Sequence, residues 1–365
     1  MLNRISKLSF VVCVTVVLFL IVAFFFTFIL RYNLMHSDVL SYWQESISWK
    51  NPFHEHPPLY PLSIALSRAI TFNVFNPVVL MMAINLFAFV VCIICIYKIS
   101  CNAGTNQTFA AFAALLFGLW PFVGLTFTVM PIADSPAFAL TLAGLLSLQK
   151  SRRPLAAFLF ALAIITHKGV WPIIGLITVA DFYIRRELFS RRNLSFLVIM
   201  LLPLTILWIA GSFYHHSINW LMERSILVNT SIASRYPVLD GLFGSFQKGG
   251  FVGLLKGTVV LFLLFTCLGS LMISIKYKFK AYEYCIAIAL GILIMLLFSS
   301  AQTIWGPVRY SKFLVIPIII ILNSLFKDKE IKRSTLSWSL ILLFGLFLSQ
   351  LGFAWYLTVL HLDNL

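Results

Sequence analysis

The sequence predicts an all-α bundle of membrane-spanning helices, and three observations predict it. The 365 residues are 61% hydrophobic and only 11% charged, with a mean hydropathy of +0.96. Many apolar stretches approach the roughly 20 residues that a helix needs to cross a bilayer. Most of the 27 Lys and Arg fall in short connections on one side, from Arg4 and Lys7 to Lys332 and Arg333, as the positive-inside rule expects. That pattern also accounts for the formal charge of +15, so the basic balance is no sign of nucleic-acid binding.

About eleven crossings are expected, at 8–30, 77–97, 107–129, 133–149, 154–166, 170–184, 194–212, 251–275, 282–300, 311–326 and 336–358. The first is too long for a signal-peptide core and has no small-residue cleavage site near its end, so it reads as a retained anchor. Between the first two crossings, 39–48 reads as an amphipathic helix and 57–72 as a juxtamembrane one. The crossings at 154–166 and 170–184 are short enough to be tilted or partly re-entrant. The whole chain, 1–365, reads as one integral membrane domain with two sizeable outer loops, 31–76 and 213–250. The amino terminus is expected in the cytoplasm. All seven histidines then fall at the outer face, with Asp38, Glu45, Glu55, Asp134, Glu223 and Asp240. Titratable chemistry is therefore expected on one side.

Six cysteines lie in apolar helices or at their cytoplasmic ends. Cys92 and Cys95 have CxxC spacing, but inside a helix expected to face lipid. No disulfide, metal or redox role is expected of them.

Five segments carry residues suited to chemistry. Asp38 follows the first crossing in HSDVLSYW. A carboxylate at the mouth of a membrane cavity can serve as general base toward a hydroxyl, and it can equally be the N-cap of helix 39–48. The element HEHPPLYP, His54–Pro61, fixes a helix entry with paired prolines and projects Glu55 and His56 from it. Three histidines and three carboxylates within 36–56 also suit a divalent metal such as zinc, although the spacing matches no standard motif. Asp134 in PIADSPAF is either an N-cap or a second carboxylate near Asp38. Lys168 in ITHKGVWP either meets an anion or snorkels to headgroups. Arg309 and Lys312 in WGPVRYSKFLVIP either bind a phosphate or anchor the chain at the interface. There is no GxxxxGK[ST] loop, GxSxG or HExxH, and no Asp-x-Asp pair faces the cytoplasm.

Taken in order, these elements resemble the GT-C superfamily of membrane glycosyltransferases, in particular the protein O-mannosyltransferases and aminoarabinose lipid A transferases. Their pattern is matched by Asp38, by His56-Pro57-Pro58-Leu59, by Asp134-Ser135-Pro136, by Thr166-His167-Lys168-Gly169, and by Arg309-Tyr310 with Pro317. The matches span about residues 8–320. His56 stands where lysine is common, His167 interrupts the Thr-Lys-Gly element, and Asp38 stands alone where an acidic pair is common.

The resemblance implies a GT-C-like fold and an inverting transfer of a sugar from a polyprenyl-phosphate donor to an acceptor hydroxyl on a glycan, lipid or protein. It implies Asp38 as general base, Asp134 and Glu55 as acceptor or second acidic site, and Lys168, Arg309 and His56 around the donor phosphate. It assigns no definite cofactor, and a divalent metal stays open. The bacterial inner membrane is the expected location, with the site at the extracytoplasmic face. Two other classes compete. A transporter or flippase for lipid-linked saccharide would need polar or broken helices near mid-membrane. An O-antigen-type polymerase would rely on arginines in a late loop, which keeps Arg224 and Arg235 in view.

Overall fold

The computed structural model describes residues 6–25, 37–47, 57–120, 129, 132–186, 190–217, 250–279, 281–297 and 305–326, with isolated positions between 341 and 348. Every regular element among the described residues is helical. The α-helices are α1 (Lys7–Phe24), α2 (Ser37–Ile47), α3 (Leu59–Ile70), α4 (Pro77–Asn102), α5 (Gln107–Gly118), α6 (Asp134–Gln149) and α7 (Arg153–Thr166). They continue with α8 (Trp171–Arg185), α9 (Arg191–His215), α10 (Gly250–Tyr277), α11 (Tyr282–Leu297), α12 (Trp305–Tyr310) and α13 (Val315–Phe326). Short 3₁₀ turns, Lys168–Val170 and Ser311–Leu314, lead into α8 and α13.

Among the described residues four helices are long and apolar enough to cross a membrane: Lys7–Phe24, Pro77–Asn102, Arg191–Tyr214 and Gly257–Tyr277. Others are apolar but shorter, including α5, α7 and α11. Two expected crossings differ in extent, one ending early and one entering its α-helix late. The helix expected at 107–129 stops at Gly118, with 121–128 outside the described residues, and the one expected at 311–326 opens with a 3₁₀ turn. The expected crossing 336–358 lies almost wholly outside the described residues.

Helix starts follow local chemistry. Ser6, Asn76, Asn106 and Ser190 each cap a helix by accepting a backbone N–H from its first turn, satisfying donors that have no intrahelical partner. Pro77 sits at the start of α4, where its missing N–H costs nothing.

The helix α4 runs through the middle of the bundle, in contact with α1, α3, α5, α6 and α13. For that reason Cys92 and Cys95 are buried among neighbouring helices, not turned to lipid as the sequence suggested. An aromatic column crosses this core. Phe89 stacks on Phe117 at 6.4 Å, Phe117 meets Phe138 at 6.3 Å, and Phe138 packs on Phe313 at 4.6 Å and Tyr310 at 5.3 Å. Small residues allow backbones to come close. A Cβ on Gly291 of α11 would sit 3.2 Å from the Ile173 Cα of α8.

Contacts between helix ends sort the bundle into two ends. At one, Lys7 of α1 donates to Thr108 of α5 (2.9 Å), and Asn102 of α4 donates to Gln149 of α6 (3.3 Å). There too Asn323 of α13 accepts from the Asn106 amide and donates to the Gly104 carbonyl, both at 3.3 Å. The buried Asp181 of α8 gathers Arg153 of α7 (3.1 Å), Arg185 (3.1 Å) and the Tyr284 hydroxyl of α11 (3.1 Å) at this same end. Lys98, Lys150, Arg152, Arg186 and Arg191 belong to these helix termini. The start of α6, the end of α7 and the start of α13 form the opposite end, and the candidate site is there.

Candidate functional site

Asp134 is the first residue of α6 and is 1% exposed. The sequence allowed it to cap its helix, but the cap position is Ala133 and no side chain caps there. The carboxylate turns to three side chains from distant parts of the chain. Arg309 Nη1 lies 2.9 Å from Oδ2, His167 Nε2 lies 3.4 Å from Oδ1, and the Tyr310 hydroxyl donates to Oδ1 at 3.2 Å. A buried carboxylate persists only where charge and hydrogen bonds replace lost water, and these three groups supply both.

Each partner is positioned by its own turn. Helix α7 ends at Thr166, and His167 takes an extended backbone (φ −154°, ψ 118°) before the 3₁₀ turn. The Gly169 amide donates to His167 Nδ1 at 3.1 Å. That bond makes Nδ1 the acceptor and leaves Nε2 to carry the proton facing Asp134. The Tyr310 hydroxyl also meets His167 Nδ1 in a short contact, so its single proton lies between two acceptors. Burial first, and the Asp134 carboxylate second, push the Tyr310 phenol well above its ordinary pKa. Tyr310 is therefore a neutral donor here at physiological pH.

Lys312 follows two residues later and is 1% exposed. Its ammonium lies 4.5 Å from the Phe138 ring centre and 5.8 Å from that of Phe117. Aromatic faces are attractive to a cation when water is excluded. Among the described residues no carboxylate lies within 4.0 Å of it, although Asp134 acts on it through space. The 3₁₀ turn carrying Lys312 is held by Trp120, whose Nε1 donates to the Ser311 hydroxyl at 2.8 Å.

Helices α2 and α3 pack beside this cluster. Val39, Tyr42, Tyr60, Ile64 and Met81 form a small second core with Ile132 and Ala133, the two residues before Asp134. Tyr42 meets Tyr60 edge-on at 5.0 Å, and the Tyr60 hydroxyl donates to Asn85 at 3.2 Å. Position 38 lies one turn before Tyr42 in α2, whose described part runs from Ser37. The Asp38 side chain is outside the described residues, as are Glu55 and His56.

Of the expected site residues, the fold brings Asp134 and Arg309 into contact. Lys168 is exposed on the 3₁₀ turn next to His167. The roles of His167 and Tyr310 toward Asp134 were not legible beforehand. His167 reads from the sequence as an interruption of the Thr-Lys-Gly element and Tyr310 only as the second residue of the Arg-Tyr element, and Tyr310 is 176 positions from its carboxylate. The one available signal was a phenol directly beside the candidate arginine. Loop 213–250, with Arg224 and Arg235, lies outside the described residues from 218 to 249. Among the described residues no group of three or more His, Cys, Asp or Glu is arranged to hold a metal.

Gly169 makes the contact with Tyr310 possible. A Cβ there would run into the Tyr310 hydroxyl and lie 2.6 Å from Cζ. Replacing Gly169 by Ala is expected to displace the phenol from His167 and Asp134 at a cost of about 1–3 kcal/mol, as for other overpacked sites. Thermal unfolding of the purified variant checks this. An unchanged midpoint would mean that the ring moves aside without loss.

A scan of known protein families gives no match, and no curated protein matches the chain by sequence.

Proposed function

We propose that this protein is an integral membrane glycosyltransferase that moves a sugar from a polyprenyl-phosphate donor to an acceptor hydroxyl. The observation that carries the reading is the convergence of Asp134, Arg309, His167 and Tyr310 at one end of the bundle, with Lys312 behind them. One buried carboxylate faces an arginine and a lysine, and Lys168 stands on the adjacent turn. The cluster is richer in cations than in anions, which suits a phosphate. Helix α2 packs against the residues leading into Asp134, so Asp38 belongs to an element bordering the cluster. Four helices of membrane-crossing length fit a donor carried by a lipid.

In this reading Asp38 takes the proton from the acceptor hydroxyl as that oxygen attacks the anomeric carbon. The bond from that carbon to the lipid phosphate breaks, and the phosphate leaves with the electron pair. One displacement inverts the anomeric centre through an oxocarbenium-like transition state. Negative charge grows on the leaving phosphate, and preorganised cations lower the barrier there. Arg309 is the cation held most firmly, with Lys168 and His56 as further candidates. Asp134 fixes the direction of Arg309, and Glu55 is the candidate for an acceptor or second acidic site. The site would face the extracytoplasmic side of a bacterial inner membrane, with the amino terminus in the cytoplasm.

The test is transfer from synthetic polyprenyl-phosphate sugars by the purified full-length protein, wild type against Asp38→Asn. Loss of the base is expected to lower turnover by about 10²–10⁴-fold at unchanged folding. Wild-type turnover by Asp38→Asn would reduce Asp38 to a structural residue of α2.

A further inference from the structure

The opposite end of the bundle carries a feature that the sugar-transfer reading does not use. Where α7 begins, α8 ends and α9 begins, the cations are Arg152, Arg153, Arg185, Arg186, Arg191 and Arg192, with Lys150 on the turn before α7. The end of α10 and the stretch of sequence leading to α11 carry Lys276, Lys278 and Lys280 instead. The positive-inside rule counts lysine and arginine alike, so it does not explain why arginine gathers at one junction. Arginine differs in its planar fork of donors, which matches a phosphate two bonds at a time.

The junction is also built. Arg153 sits over the rings of Phe182 (5.5 Å) and Phe196 (5.3 Å), which pack on each other, and pairs with Asp181 at 3.1 Å, while Arg185 reaches the other carboxylate oxygen at 3.1 Å. Arg153 is 7% exposed, and among the described residues its Nε and Nη2 find no hydrogen-bond partner of good geometry. One carboxylate thus serves two arginines. Arg152, Arg186, Arg191 and Arg192 are exposed around it, and among the described residues none has a carboxylate within 4.0 Å. Arg192 is one turn before Phe196 on α9, which brings it toward the same centre. Directly beyond the arginines, Leu155 and Phe158 of α7 and Leu194 and Val198 of α9 are exposed apolar residues, and α7 packs on α9.

We propose that the α7–α8–α9 junction binds an anionic phospholipid, its phosphodiester among Arg186, Arg191 and Arg192 and its acyl chains along the apolar residues of α7 and α9. Counting Glu187 of the α8–α9 connection, which lies outside the described residues, the cations of the junction still outnumber its carboxylates; that excess and the adjoining apolar strip together select a lipid over a soluble phosphate, which would have no use for the strip. Basic pockets between helices at a membrane surface hold anionic headgroups in this way.

Full-length protein in neutral detergent is titrated with phosphatidylglycerol and with phosphatidylcholine, and bound lipid is counted by native mass spectrometry. Phosphatidylglycerol is expected to be retained and phosphatidylcholine not. The triple change Arg186→Lys, Arg191→Lys and Arg192→Lys keeps every charge and removes the forks. It is expected to weaken phosphatidylglycerol binding by about tenfold or more, the loss of at least one charge-assisted bond. The pair Lys276→Gln and Lys278→Gln removes two charges elsewhere at the same end and is expected to leave binding unchanged. Equal binding by the triple variant, or equal loss in the lysine pair, would overturn the site in favour of diffuse surface charge. Competition by inorganic phosphate as strong as by the lipid would overturn the lipid assignment. If the triple variant fails to fold, the exposed Arg191→Lys alone serves the same comparison.

Discussion

Under the proposed sugar-transfer reading, Asp134→Asn is expected to lower turnover by about 100-fold or more, the scale on which small misplacements of catalytic groups act. Asparagine keeps the shape and can still accept from Tyr310, but it removes the charge that faces Arg309 at 2.9 Å and His167 at 3.4 Å. Arg309 then loses the anchor that fixes its direction, and Lys312 loses the only carboxylate among the described residues that acts on it through space. The loss should appear in kcat more than in KM, because a cation out of place binds the donor phosphate but meets its developing charge poorly. The measurement is steady-state transfer at equal amounts of folded protein, with Arg309→Lys alongside. Arg309→Lys retains the charge and loses the fork, and is expected to fall between wild type and Asp134→Asn. Wild-type kcat in Asp134→Asn would remove this cluster from the reaction and leave it a buried packing device.

What could be read in the sequence follows from the range of the interaction that decides it. Periodicity and capping are local, so the starts of α4, α5 and α9 at Asn76, Asn106 and Ser190 agree with apolar stretches visible beforehand. The short helices at 153–166 and 171–185 were legible for the same reason, since His167 and the Gly169–Pro172 segment break the apolar run. The side each helix turns to its neighbours was not legible. CIIC in α4 looks lipid-facing in isolation because both environments are apolar, and only the central position of α4 buries Cys92 and Cys95. The site was half legible. Asp134 and Arg309 stand out as charges in apolar surroundings. Their pairing, and the part of Tyr310 and His167 in it, depends on helices from three parts of the chain meeting at one end.

Asp181→Asn is expected to destabilise the fold by about 3–5 kcal/mol, the usual cost of removing one member of a buried ion pair. Asp181 is 0% exposed and is shared by Arg153, Arg185 and the Tyr284 hydroxyl, each at 3.1 Å. It therefore ties together the start of α7, the end of α8 and the start of α11. Arg185 is partly exposed and can turn to water, so its share of the loss is small. Arg153 cannot, because Phe182 and Phe196 cover it, and the cost is that of leaving its charge buried without a counter-ion. Thermal unfolding in detergent reads the change. Adding Arg153→Met to Asp181→Asn removes that stranded charge and fills its space with an apolar chain, so the double variant is expected to regain part of the lost stability. A double variant no more stable than Asp181→Asn would assign the effect to the Tyr284 hydrogen bond. Because Asp181 lies at the far end of α8 from His167 and Arg309, transfer per folded molecule should stay near wild type. That separates a loss of fold here from the loss of turnover expected at Asp134.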